Sequence, residues 1–137
     1  MSGWPRCFYK RRIKRAASEN AGAAREREKR MKIGNIQVDN PLFLAPMAGV
    51  TDWAFRTICA RLGAGVTVTE MVSSRALCYK DQKSAKLLRK NEGSVCGAQI
   101  FGNDPDIMAK GAVLALEISG CDFIDVNMGC PMPKIAG

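Results

Sequence analysis

The sequence predicts an α/β fold, namely the first half of a (β/α)8 TIM barrel: about four βα units, truncated after strand 4. Three observations carry this. Short apolar runs begin near residues 42, 66, 95 and 122, and a helical pattern separates each run from the next, as in parallel sheets. The repeat of roughly 27 residues would complete eight units in somewhat over 200, the size of such a barrel. A doubly wound sheet is the competing architecture, but no G-x-G-x-x-G follows the first run, which weakens a dinucleotide fold.

The elements read as follows. PLFLAPM (41–47) is a short apolar run bounded by Pro41 and Gly49, a strand buried on both faces. Thr51 caps a helix running to about Leu62, with Trp53, Phe55, Ile58, Cys59 and Leu62 as its inner face, and Gly63 and Gly65 end it. VTVTEMV (66–72) is β-branched and forms the second strand. A loop follows, then a short basic helix near Asp81–Lys90. VCGAQIFG (95–102) is the third strand. Asp104 caps the next helix, Pro105 opens it and Gly120 closes it. DFIDVNMG (122–129) is the fourth strand. Four such strands leave two open parallel edges.

Charge divides the chain into two regions. Residues 1–30 hold ten Lys/Arg against three Glu and show no apolar period. They read as a basic tail, disordered or a non-native extension upstream of a natural start at Met31; a nucleic-acid-binding arm is the third reading. The two glutamates of the REREKR stretch fit a mitochondrial presequence poorly. Residues 31–137, the partial barrel domain, hold eleven Lys/Arg and ten Asp/Glu, so their overall charge says little about a partner. No apolar run approaches the roughly 18 residues of a membrane span, and no apolar segment backs the basic N-terminus. A cytoplasmic protein is expected. Six cysteines without C-x-x-C spacing, and no histidine, argue against a structural metal. Cys59, Cys96 and Cys121 are expected to be small buried residues with reduced thiols.

A barrel places its chemistry at the C-terminal ends of its strands. Those ends carry Pro46, Met47 and Ala48; Glu70 and Met71; Gln99; and Asn127, Met128, Gly129 and Cys130. Each has a structural alternative. Pro46 and Gly49 make a turn on their own account, and Glu70 and Asn127 could bond to each other across the rim. Gln99 inside an apolar strand needs partners for its amide if buried. Cys130, between Gly129 and Pro131, sits on a turn. Thiols titrate near about 8.5 and hold their proton at neutral pH, so Cys130 is the best proton donor in a chain without histidine, a buried structural cysteine being the alternative.

APMAGVTDWAFR, VTEMVSS, AQIFGNDP and DVNMGCP, in this order and spacing, resemble the bacterial tRNA-dihydrouridine synthases from Met31 to about Lys134. That resemblance implies an FMN-dependent oxidoreductase, with NADPH as reductant, that converts a tRNA uridine to 5,6-dihydrouridine. It places Pro46, Met47 and Ala48 against the flavin ring, Gln99 on its polar edge, and Asn127, with Glu70, near flavin or substrate. Cys130 becomes the proton donor to C5. The lysine near the flavin, the FMN phosphate loops and the helical tRNA-gripping domain of that family do not occur here, so the isolated chain is expected to bind FMN weakly and to be inactive. The alternatives are a dihydroorotate-dehydrogenase-like FMN barrel acting on a small pyrimidine, and a non-catalytic RNA-binding remnant.

Overall fold

The computed structural model describes residues 31–130. The basic tail (1–30) and the segment after Cys130 lie outside the described residues. The chain enters through a hairpin that the strand-and-helix pattern did not reveal. β1 (Met31–Ile33) and β2 (Ile36–Val38) pair antiparallel, with Ile33 opposite Ile36. The two-residue Gly34–Asn35 loop joins them, and Gly34 takes the left-handed conformation at φ +57°.

The body is a parallel five-stranded sheet. Its strands are β3 (Phe43–Leu44), β4 (Val66–Val68), β5 (Val72–Ser73), β6 (Val95–Phe101) and β7 (Phe123–Val126). β4 and β5 run along the same side of β6, against Val95–Gly97 and Ile100–Phe101 respectively, and β7 takes the other side. Spatial order therefore follows chain order. A doubly wound sheet would reverse direction at its switch point, with orders such as 3-2-1-4; here successive strands add on one side only, as in a partial barrel. Among the described residues β3 and β7 are the edges, and Phe43 and Val126 on them are exposed.

Two strand expectations are corrected. Only Phe43–Leu44 of the 41–47 run joins the ladder, and Phe43 is 51% exposed, because no described strand covers its outer side. The 66–72 strand is broken at 69–71. There the Thr69 hydroxyl takes a ladder position, accepting the Gln99 N–H at 3.0 Å, so Glu70 and Met71 leave the sheet toward the rim.

The helices are α1 (Trp53–Arg61), α2 (Ser74–Cys78), α3 (Gln82–Leu87) and α4 (Pro105–Ser119). Asp52, rather than Thr51, caps α1, accepting the Phe55 N–H at 2.8 Å. Thr51 is buried and its hydroxyl accepts the Met47 N–H. The expected inner face of α1 is also wrong. Ile58 and Leu62 are 56% and 83% exposed, and the helix buries Arg56 and Ala60 instead. Arg56 sets that orientation. Its Nη1 donates to the Thr51 carbonyl (2.6 Å), its Nη2 to the Arg89 carbonyl (2.5 Å) and its Nε to Asn91 Oδ1 (3.3 Å). α2 occupies what read as loop. α3, capped by Asp81, ends short of Lys90. α4 follows its expected signals: Asp104 accepts the N–H groups of Asp106 and Ile107, and Gly120 closes the helix.

The core lies between sheet and helices. Cys96, Ala98 and Ile100 alternate along β6 against Leu77, Leu88, Ala115 and Cys121. Cys121 Sγ donates to Cys96 Sγ at 3.7 Å, both buried, whereas Cys59 is only half-buried. The opposite face of β6 presents Gly97 and Gln99, paired in register with Phe123 and Asp125. Among the described residues no helix is long and apolar enough to cross a membrane.

Candidate active site at the strand rim

The C-terminal ends of β3, β4, β6 and β7 surround one cleft of about 360 Å³, lined by Pro46, Ala48, Met71, Gln99, Asn127, Gly129 and Cys130. Its volume lies at the small end of ligand pockets, which run from roughly 300 to 1,000 Å³. Five of the seven residues singled out in the sequence meet here: Pro46, Ala48, Gln99, Asn127 and Cys130. Met47 and Glu70 do not line it. The Met47 backbone shapes the loop, its carbonyl accepting the N–H groups of Val50 and Thr51 at 3.0 Å, and its side chain is exposed. Glu70 is nearly buried, and its Oε2 accepts the Gly49 N–H at 2.5 Å rather than meeting Asn127.

A chain of amides organises the cleft floor. Gln99 Nε2 donates to Asp125 Oδ2 at 2.5 Å, and Gln99 Oε1 accepts from Asn127 Nδ2 at 3.3 Å. Asn127 Oδ1 then accepts the N–H groups of Gly129 and Cys130, both at 3.1 Å. The ends of this chain fix every orientation within it. An ionised carboxylate only accepts and a backbone N–H only donates, so both carboxamides have one compatible orientation. Asn127 thereby holds the turn that carries Cys130, half-buried at the cleft wall. Asp125 was not singled out in the sequence. The signal available was an acid two residues before Asn127 in an apolar strand, where period-2 alternation places both on one face.

The cleft combines amide groups with apolar walls. Gln99 keeps a second amide N–H and a second lone pair after serving Asp125 and Asn127. Pro46, Ala48 and Met71 supply apolar walls. Among the described residues no group of three or more His, Cys, Asp or Glu is placed to hold a metal ion.

Residues 43–137 match the family model described as dihydrouridine synthase (Dus). Over 106 residues the chain is 47% identical to the tRNA-dihydrouridine synthase B of Vibrio vulnificus (strain CMCP6), covering 77% of this chain and 33% of that protein. It is 46% identical to the protein of that name from Pasteurella multocida (strain Pm70), again over 77% of this chain but 32% of the relative. For the one from Escherichia coli (strain K12) the identity is 45%, with 77% and 33% covered. The chain thus spans about a third of the length of the curated relatives it matches.

Proposed function

The chain belongs to the dihydrouridine synthase family, and from that premise we propose that it carries part of the catalytic rim of an enzyme that reduces a tRNA uridine to 5,6-dihydrouridine. The supporting observation is the meeting of Gln99, Asn127 and Cys130 in one cleft at the strand ends. In this reading the parallel sheet is the opening part of a (β/α)8 barrel acting in the cytoplasm, and tRNA is the partner.

FMN, reduced by NADPH, would supply hydride chemistry at C6 of the uridine. Pro46 and Ala48 would bear on its ring from the cleft wall, with Met47 shaping the loop behind them, and Gln99 would hydrogen-bond its polar edge. Cys130 holds the proton destined for C5, and its thiolate regains one from solvent after each turnover. Asn127 orients that cysteine through the two backbone N–H groups it accepts. Glu70 acts from outside the cleft by fixing the Gly49 loop. The uridine must leave its stack to reach the cleft, at a cost of a few kcal/mol that RNA-backbone contacts must offset.

The test is a chimera in which residues 31–137 replace the matching segment of the Escherichia coli relative, produced in cells lacking that relative. Dihydrouridine in bulk tRNA is measured by mass spectrometry. The chimera should restore dihydrouridine, and Cys130→Ala should lower the rate at least about a hundredfold while flavin stays bound. A flavin-loaded chimera without activity, or full activity in Cys130→Ala, would sink the reading.

A further inference from the structure

The near-neutrality of residues 31–137 is a cancellation. Residues 75–90 hold six Lys/Arg against Asp81, a net charge of +5, whereas residues 91–130 hold one Lys against six Asp/Glu, a net of −5. Lys90 is paired with Asp122 at 2.7 Å. The other five, Arg75, Lys80, Lys83, Lys86 and Arg89, are exposed, and none has a carboxylate partner among the described residues. Asp81 is committed to α3: it accepts the Ser84 hydroxyl and backbone N–H at 2.6 and 2.9 Å. The hydroxyl bond, then the backbone one, holds its carboxyl below the usual range.

Position adds to charge. Lys86 and Arg89 line a second hollow of about 510 Å³ beside the reaction cleft, together with Trp53 and Glu70. The bond from Gly49 to Glu70 forms the ridge between the two, since their neighbours Ala48 and Met71 line the cleft. The two acids in the hollow are spent, Asp52 on the Phe55 N–H and Glu70 on the Gly49 N–H. The Arg89 guanidinium lies 3.8 Å over the Trp53 ring, which fixes a cation and an aromatic face together at the surface.

Lys80 is the most telling member. It sits at φ +58° just past α2, the one non-glycine residue with positive φ among those described. Its N–H donates to the Leu77 carbonyl and that of Asp81 to the Ala76 carbonyl, the Schellman pattern. Glycine is the usual occupant, because an L-residue there costs roughly 1–2 kcal/mol. The chain carries a charge at this outward corner despite that cost.

We propose that the exposed cations of α2, α3 and the turns that follow them, Arg75, Lys80, Lys83, Lys86 and Arg89, form a docking face for RNA phosphates beside the reaction cleft. The inference rests on the tRNA reading above and extends it from a substrate to a surface. RNA whose target base enters the cleft would lay its backbone across the Gly49–Glu70 ridge onto this face. The experiment uses the full chain and an unmodified tRNA transcript, with affinity read by fluorescence anisotropy across a series of salt concentrations. Combining Arg75→Gln, Lys80→Gly, Lys83→Gln and Lys86→Gln removes four charges and leaves the Arg89–Trp53 stack intact. The slope of log K against log salt should flatten by about 3, and affinity should fall roughly tenfold or more. The same flattening should appear in a chain whose ten Lys/Arg in residues 1–30 are changed to Gln. Lys80→Gly alone should flatten the slope by about 1 while raising the unfolding midpoint, which separates charge from folding. Unchanged slopes in both backgrounds would overturn the proposal. So would a poly-glutamate peptide that binds as tightly as tRNA and loses affinity with the same substitutions, since the face would then suit acidic polypeptides. Dihydrouridine formation enters none of these readouts, so failure here and failure of the chimera are distinct results.

Discussion

Gln99 and Asp125 face each other across the β6–β7 ladder, and the carboxylate accepts the amide N–H at 2.5 Å. This pair fixes one end of the chain of amides that leads to Cys130, because Asp125 is its one acceptor-only group. Asp125→Asn replaces the charged acceptor with a neutral amide whose own NH2 can turn toward Gln99, so the Gln99 bond weakens while the Gly129 and Cys130 N–H groups still hold Asn127. The expected results are a loss of about 1–2 kcal/mol in chemical denaturation and, in the chimera, a fall in kcat larger than the change in KM. Asp125→Glu should restore part of the rate, since it returns the acceptor-only group.

Arg56 supports the rim from below. It is fully buried, and its three acceptors are two carbonyls and the Asn91 amide oxygen, on the segments leading into α1 and out of α3. Lysine cannot span three acceptors set in a fork. Arg56→Lys is expected to destabilise by about 2 kcal/mol, and Arg56→Met by about 3 or more, since each orphaned buried acceptor costs roughly 1–3 kcal/mol. Urea unfolding followed by circular dichroism checks both. Equal stability of the two variants would show that volume, and not the fork, is what the site requires.

The parallel sheet and the two ends of α4 were legible in the sequence because they rest on local signals: apolar runs, Asp104 and Gly120. The face of α1 was not. Periodicity placed its apolar residues inward, but a buried guanidinium decides the rotation of that helix, and its partners lie more than thirty residues away in Arg89 and Asn91. For the same reason the clustering of Gln99, Asn127 and Cys130 could be read from strand ends, whereas Asp125 offered only its two-residue spacing from Asn127. Its importance comes from register with Gln99, a relationship between strands that composition does not encode. The break at Thr69 was hidden by β-branching, which favours a continuous strand until a side-chain hydroxyl replaces a ladder partner.

Lys80 gives a stability prediction independent of RNA. Lys80→Gly relieves the left-handed strain, partly offset by the greater freedom of glycine in the unfolded chain. The net expectation is a gain of about 0.5–1 kcal/mol, read as a higher urea midpoint at unchanged m-value. Lys80→Ala, which removes the charge and keeps the Cβ, should show no gain. A gain in both would place the cause in charge repulsion among the neighbouring cations.

Gly97 controls the packing of the sheet face opposite the helices. A Cβ there would fall 2.5 Å from Cε2 and Cζ of Phe123, its register partner on β7. The ring fills the space of the missing side chain, which lets β6 and β7 keep their ladder while the aromatic covers the backbone. Gly97→Ala must therefore displace the ring or spread the strands, and overpacking of this kind costs about 1–3 kcal/mol. Because Gln99 and Asp125 are the next same-face pair along this ladder, spreading would also stretch their bond, and chimera activity should fall with stability. Phe123→Leu in the Gly97→Ala chain should recover part of the loss. The double-mutant cycle should yield a coupling of at least about 1 kcal/mol; additive effects would mean that the strands yield and the ring does not.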